Sequence, residues 1–195
     1  ALREWKPLAE QGDANTQVNL GVMYENGRGV RKNYTRAVKW YRLAAEQGNA
    51  FGQNALGNMY YAGRGVPKDD KEAVWWRTLA AKQGNTQSQS NLGVMYENGQ
   101  GVVKDFKEAA KWYRKAAEQG HRFSQYNLGV MYDNGQGVVK DFKEAVKWYR
   151  KAAKQGVVNA QYNLGVMYRN GEGVAKDLKE AVKWYRKAAK QGVVN

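Results

Sequence analysis

Apolar positions along this chain follow two helical registers that alternate without a break. After Gly84, Leu92, Met95 and Tyr96 are spaced by three residues and then four, counted from Leu92, which places them on one helix face. Asn85 is placed to cap this helix, which runs to about Glu97. Asn98-Gly99 then stops it, because a left-handed residue at a helix C-terminus suits Gly or Asn. Gly99 to Lys104 reads as a short loop carrying two glycines. Asp105 opens a second helix with Glu108 three residues on, the spacing at which two side chains can satisfy backbone donors reciprocally. Asp69/Glu72, Asp141/Glu144 and Asp177/Glu180 repeat that spacing, whereas Asn33 followed by Arg36 keeps only the cap. Ala109, Tyr113 and Ala116 form the apolar face of the second helix, which ends at Gln119-Gly120.

The whole unit recurs. Gln-Gly occurs at Gln11, Gln47, Gln83, Gln119, Gln155 and Gln191, each 36 residues from the last. Leu20, Leu56, Leu92, Leu128 and Leu164, and Trp40, Trp76, Trp112, Trp148 and Trp184, keep the same step. Five full units follow, over residues 13–48, 49–84, 85–120, 121–156 and 157–192. Residues 1–12 match the end of a second helix and 193–195 the start of a further unit, so the chain reads as a piece of a longer array. Neither helix of a unit can bury its apolar face alone, so neighbouring units must stack. Gly93 and Ala109 are small enough to let two helices approach closely. The expected fold is all-α: a solenoid of helix–loop–helix repeats forming one right-handed superhelical domain. Pro7 is expected to shorten or kink the first helix.

Composition narrows the function classes. The chain is 43% hydrophobic and 26% charged, the balance of a globular protein, and has two prolines against 22 glycines. Cysteine is absent, which removes disulfides, thiolate metal ligands and a thiol nucleophile. No apolar run approaches the roughly eighteen residues that span a bilayer. The one histidine, His121, falls where Asp13 and Asn49 sit in other units and reads as a solvent-exposed cap residue. Gly99–Lys104 has the look of a phosphate loop but lacks the Gly-Lys-Ser/Thr ending and a preceding strand. Asp105 and Glu108 read as a cap and not as an acid/base pair. No catalytic residue, metal site or cofactor is expected.

Asn-Leu-Gly-Val-Met-Tyr, Gly-x-Gly-Val and Lys-Asp-Phe-Lys-Glu-Ala-x-Lys-Trp-Tyr-Arg-Lys-Ala-Ala-x-Gln-Gly together resemble the Sel-1-like repeat family, a branch of the tetratricopeptide-like superfamily. The resemblance covers essentially the whole chain. Arg77 departs from it by standing where the other repeats have Tyr, and Trp75 adds an aromatic. The resemblance implies a non-catalytic scaffold or adaptor that binds a protein or peptide. Such proteins are common in bacteria and often periplasmic or secreted, and eukaryotic members act in membrane-protein quality control and signalling.

By that resemblance the first helix of each unit lines a concave groove, with Leu20, Gly21 and Tyr24 in the packing core. The implied partner-binding residues are Asn19, Phe51, Asn54, Asn58, Tyr61, Asn91, Phe123, Tyr126, Asn127, Tyr162, Asn163 and Arg169. Asn19, Asn91, Asn127 and Asn163 form a ladder of amides able to bond both backbone groups of an extended peptide. The aromatics supply contact area of the kind that anchors interfaces. Equally, the asparagines can bond within the array and the tyrosines can pack between units.

The net charge of +14 is unevenly placed. First helices and their caps carry Asp13, Glu25, Glu97 and Asp133 against Arg122 and Arg169, close to neutral. The basic excess falls on second helices and loops, as in Lys140, Lys143, Lys147, Arg150, Lys151 and Lys154. A regular stripe of this kind is usually a solvated outer face. Its alternative role is to attract nucleic acid or anionic lipid, although no nucleic-acid motif accompanies it. Exposed apolar repeat ends would favour self-association.

Overall fold

The structure, a computed structural model, describes residues 2–192. Ala1 and the expected start of a further unit at 193–195 lie outside the described residues. The described residues form eleven helices and no strand: α1 (Leu2–Glu10), α2 (Ala14–Asn26), α3 (Tyr34–Glu46), α4 (Ala50–Ala62), α5 (Asp70–Lys82), α6 (Thr86–Asn98), α7 (Phe106–Glu118), α8 (Arg122–Asn134), α9 (Phe142–Lys154), α10 (Val158–Asn170) and α11 (Leu178–Ala189). The fold class is the expected α-solenoid of 36-residue helix pairs. Two compact units divide the chain, one ending at Lys104 and one beginning at Asp105. In the first, α2 packs on α3 and α4 on α5; in the second, α8 packs on α9 and α10 on α11. α1 continues through Pro7 to Glu10, so the proline does not end it.

Caps set the helix ends. Each first helix stops at a left-handed glycine, as at Gly135, whose N–H donates to the Met131 carbonyl. After the loop, the Asp141 N–H returns to the Tyr132 carbonyl at 2.9 Å, fixing where α9 starts. Asp141 then accepts from the N–H groups of Lys143 (2.8 Å) and Glu144 (3.1 Å). The reciprocal half of the expected capping box is replaced. Glu144 instead receives Lys147 Nζ at 2.8 Å and Trp148 Nε1 at 3.1 Å, and Glu108 and Glu180 likewise pair with Lys111 and Lys183. A lysine one turn on offers a full charge, a stronger partner for a carboxylate than one backbone N–H.

Close helix approach depends on glycine. A Cβ on Gly129 would lie 2.6 Å from Tyr149 Cδ1, and Gly165 faces Tyr185 in the same way. Tyr149 is fully buried over its glycine, beside Leu164 and Met167 in one apolar cluster. Leu20 and Gly21 are buried as expected, whereas Tyr24 is only partly buried.

Neighbouring helix pairs are joined by a buried glutamine in each first helix. Gln125 donates to the Ala117 carbonyl at 3.1 Å, and Gln17, Gln53, Gln89 and Gln161 do the same to Ala9, Ala45, Ala81 and Ala153. The amide of the Gln-Gly pair closes the bond: Gln155 Nε2 donates to Gln125 Oε1 at 2.8 Å and to the Gly120 carbonyl at 3.0 Å. The side-chain part recurs from Gln47 to Gln17, Gln83 to Gln53 and Gln191 to Gln161. The recurring dipeptide is therefore a stacking device as well as a helix end.

Gln125→Met should lower stability by about 0.5–1.5 kcal/mol, because it removes one of the two donors to the Ala117 carbonyl, which keeps only the Gly120 N–H. Urea unfolding checks this; an unchanged midpoint would show that the bond contributes nothing. A pair of glycine variants separates backbone strain from contact. Gly120 has φ +93° and open space around it, so Gly120→Ala should cost about 1–2 kcal/mol from its left-handed backbone alone. Gly137 has φ +68° and lies against the Phe106 carbonyl, so Gly137→Ala should cost clearly more in the same assay. Equal losses would mean that this contact is not tight.

Candidate binding face

The candidate residues sit on α2, α4 and α6 in the first unit and on α8 and α10 in the second. In the first unit Phe51 is 69% exposed at the start of α4. Asn19 is exposed and borders an apolar cavity of about 450 Å³ with Trp5, Val22 and Met23. Asn54 Oδ1 accepts from Ser88 Oγ at 2.8 Å, Asn58 Oδ1 accepts from Arg77 at 2.9 Å, and Asn91 Oδ1 accepts from Gln87 at 3.0 Å. Tyr61 is partly buried, donates to Gln100 Oε1 at 3.4 Å and lies under the Arg77 guanidinium, 4.7 Å from its ring centre. Tyr61 and Asn91 thus meet at one small cavity of about 90 Å³, together with Arg77, Met95 and Gln100.

In the second unit Phe123 is 50% exposed and meets Tyr126 and Asn127 at a cavity of about 640 Å³ that Val158 and Asn159 also line. The Asn159 and Asn163 amides stabilise the ionised Tyr126 phenol, and Asn163 acts on Tyr149 in the same way. Burial nevertheless pushes the Tyr126 phenol above its ordinary range. Tyr162 is exposed with its ring 5.5 Å from that of Tyr185, and Arg169 is exposed beside Asn170. Several candidate amides are thus engaged inside the protein, while Phe51, Phe123 and Tyr162 present ring surface to solvent.

A recurring pair under this face was not singled out from the sequence. The Tyr41 hydroxyl donates to Glu25 at 2.6 Å and the Tyr149 hydroxyl to Asp133 at 3.1 Å. Burial, reinforced by the neighbouring carboxylate, drives both phenols far above their ordinary range. Burial also raises the Asp133 carboxyl, against the opposing effect of Tyr149. The 36-residue step carries the signal for this pair, because residues 25 and 41 co-occur as acid and phenol at 133 and 149. In the second repeat the same two positions hold Tyr61 and Arg77.

Outer faces differ between repeats. Lys115, Lys151 and Lys187 lie over Trp112, Trp148 and Trp184, with Nζ 4.4–4.7 Å from the ring centres. Where those lysines stand, the first two repeats have Leu43 and Leu79; Trp75, 52% exposed, stands at a further lysine position. Carboxylates at i−3 pair with Lys111, Lys147 and Lys183, so the basic stripe is partly neutralised.

His121 caps α8 as expected but is partly buried, not fully exposed. Its Nδ1 accepts from the Ser124 N–H at 3.2 Å and lies 3.0 Å from Ser124 Oγ. Ser124 is completely buried, so this contact is a helix cap and offers no nucleophile to a substrate. Among the described residues no three His, Asp or Glu side chains group to hold a metal ion, and no helix is long and apolar enough to cross a membrane.

The Sel1 repeat family model matches residues 14–49, 50–85, 86–121, 122–157 and 158–193. No curated protein matches the chain. Among solved structures, c5321, a protective antigen present in uropathogenic Escherichia coli strains and displaying an SLR fold, is 41% identical with a TM-score of 0.94. That alignment covers 96% of this chain, which spans only 40% of the length of c5321. A Sel1 repeat protein from Oxalobacter formigenes is 39% identical with a TM-score of 0.85, over 93% of this chain and 72% of that one. Helicobacter pylori cysteine rich protein B is 30% identical with a TM-score of 0.53, over 69% of this chain and 96% of that one. This chain builds the shared repeat with no cysteine at all.

The His121 cap predicts a pH effect of definite sign. Burial, then the charge of Arg122, hold its pKa below the ordinary 6.5. Only the neutral ring can accept at Nδ1. The cap is therefore fully effective above the unfolded-state pKa and is lost as pH falls through the lower folded-state value. Between pH 7 and pH 5 wild type should lose about 1 kcal/mol relative to His121→Asn, which caps without titrating. Parallel thermal midpoints for the two proteins across that range would refute the assignment.

Proposed function

Since the chain belongs to the Sel1 repeat family, whose members are generally protein-interaction scaffolds, we propose that it binds a protein or peptide on the exposed face of its first helices, the concave face of the repeat. The proposed contact residues are those named above, on α2, α4 and α6 and on α8 and α10. The observation that supports this reading best is the cavity beside α8. There an exposed ring (Phe123), a half-buried phenol (Tyr126) and two amides (Asn127, Asn159) converge on about 640 Å³ of open space. Apolar area with a few fixed polar groups is the composition that retains a peptide and orients its backbone. Phe51 and Tyr162 add exposed rings on other first helices.

On this reading the protein has no catalytic residues and works by holding its partner. Any role of the lysine-bearing second helices is subsidiary, because Glu108, Glu144 and Glu180 already pair with lysines there.

The test is capture of partners from lysate by wild type and by a Phe123→Ala/Tyr162→Ala variant, read by mass spectrometry at low and physiological salt. Loss of one or two such anchors should weaken retention at least about tenfold while helicity by circular dichroism stays unchanged. Undiminished capture by the variant would refute the face. Recovery of nucleic acid that vanishes with salt would move the function to the basic second helices.

A further inference from the structure

The second repeat breaks the pairing beneath the first-helix face. In the first and fourth repeats a buried tyrosine donates to an acidic side chain on the first helix, Tyr41 to Glu25 and Tyr149 to Asp133. In the second repeat Arg77 replaces the phenol and Tyr61 replaces the acid. The exchange brings in a cation and removes the anion that would have answered it.

Arg77 is 5% exposed. One terminal nitrogen donates to Asn58 Oδ1 at 2.9 Å, and the other reaches Met95 Sδ at 3.0 Å, a weak acceptor. Its Nε is buried with no partner. The guanidinium rests on the ring of Tyr61, 4.7 Å from the centre, and Asp70, two turns earlier on α5, acts on it only electrostatically. Burial pulls its pKa down to about 10, which reflects how poorly the charge is compensated. A buried guanidinium without a carboxylate is costly, since its planar fork of donors is built for a two-oxygen anion.

The space for that anion is present. Tyr61, Arg77, Asn91, Val94, Met95 and Gln100 line a cavity of about 90 Å³. That equals about three water volumes at roughly 30 Å³ each, enough for a carboxylate group. Asn91 and Gln100 each use their amide oxygen as an acceptor, from Gln87 and Tyr61, which leaves their N–H groups to donate. Met95 can yield its contact to a better acceptor at little cost.

We infer that this cavity is a carboxylate-binding subsite of the first-helix face, with the Arg77 guanidinium as the anion's partner and Asn91 and Gln100 as additional donors. It rests on the peptide-binding reading above and specifies the ligand: a peptide that places an acidic side chain or its C-terminal carboxylate at the second repeat. A charge-assisted, two-pronged bond in a buried site gives this contact both strength and register along the chain. The remaining repeats have no such site at this position, because none of them has arginine there.

The experiment is NMR on the ¹⁵N-labelled protein, following the Arg77 Nε–H signal, identified as the one lost in Arg77→Tyr. That variant restores the residue of the other four repeats and so keeps the fold. The probes are glutarate and three versions of the peptide Ser-Ala-X-Ala-Ser with an acetylated N-terminus: X glutamate with an amidated C-terminus, X glutamine with a free C-terminus, and X glutamine with an amidated C-terminus. We expect glutarate and at least one carboxylate peptide to shift the Arg77 signal, the peptide with neither carboxylate to leave it in place, and Arg77→Tyr to bind about tenfold more weakly. Which peptide acts tells a side-chain from a C-terminal carboxylate. Arg77→Lys should also lose most of the effect, because an ammonium lacks the fork. If every peptide shifts backbone amides of α4 and α6 equally while Arg77 stays silent, the subsite is overturned and the peptide-binding face survives. If glutarate shifts Arg77 but no peptide shifts any first-helix amide, the subsite stands and the wider face fails. No Arg77 response to any carboxylate, or equal binding by Arg77→Tyr, overturns the inference.

Discussion

A second helix that ends against its neighbour leaves carbonyls with no intrahelical donor, and burying them unmet would be costly. At Ala9, Ala45, Ala81, Ala117 and Ala153 the N–H of the Gln-Gly glycine meets one such carbonyl, and the buried glutamine of the following first helix adds a second donor from across the stack. Where a further Gln-Gly amide is seen, at Gln47, Gln83, Gln155 and Gln191, it caps that glutamine's own oxygen. The geometry of this exchange sets how far one helix pair sits from the next. Alanine at the contact is buried almost completely, while the glycine at its end is required by its left-handed backbone and not by crowding.

The same spacing explains what can and cannot vary beneath the proposed binding face. Tyrosine over glycine fills the gap between the two helices of a pair, and its hydroxyl needs an acceptor, which Glu25 and Asp133 provide. Arginine fits the same slot over Gly57, packing its stem where the tyrosine ring would lie. The stem satisfies the shape but the head does not satisfy the charge. Arg77 is therefore structurally tolerated and electrostatically incomplete, a combination more characteristic of binding sites than of packing.

The first-helix face is neither a bare amide ladder nor a purely internal network. Asn54, Asn58 and Asn91 spend hydrogen bonds within the protein and so hold their neighbours in place. Phe51, Phe123 and Tyr162 remain outward, on helices whose positions those bonds fix. Rigid aromatic surface on a supported frame loses little entropy on binding.

Periodicity in the sequence was enough to determine the helix pairs, their caps and their 36-residue step, since each follows from local backbone needs that recur identically. It also exposed Arg77 as a position where one repeat differs from the other four. The sequence did not determine which amides would face inward, that Glu144 would turn to Lys147 and Trp148 and not to its helix start, or that α1 would continue through Pro7. Nor did it couple residues 25 and 41, or place a cavity beside Arg77. Those outcomes depend on which groups lie within hydrogen-bond reach across helices. Spacing along one helix fixes a face, but only packing against a second helix decides the partner.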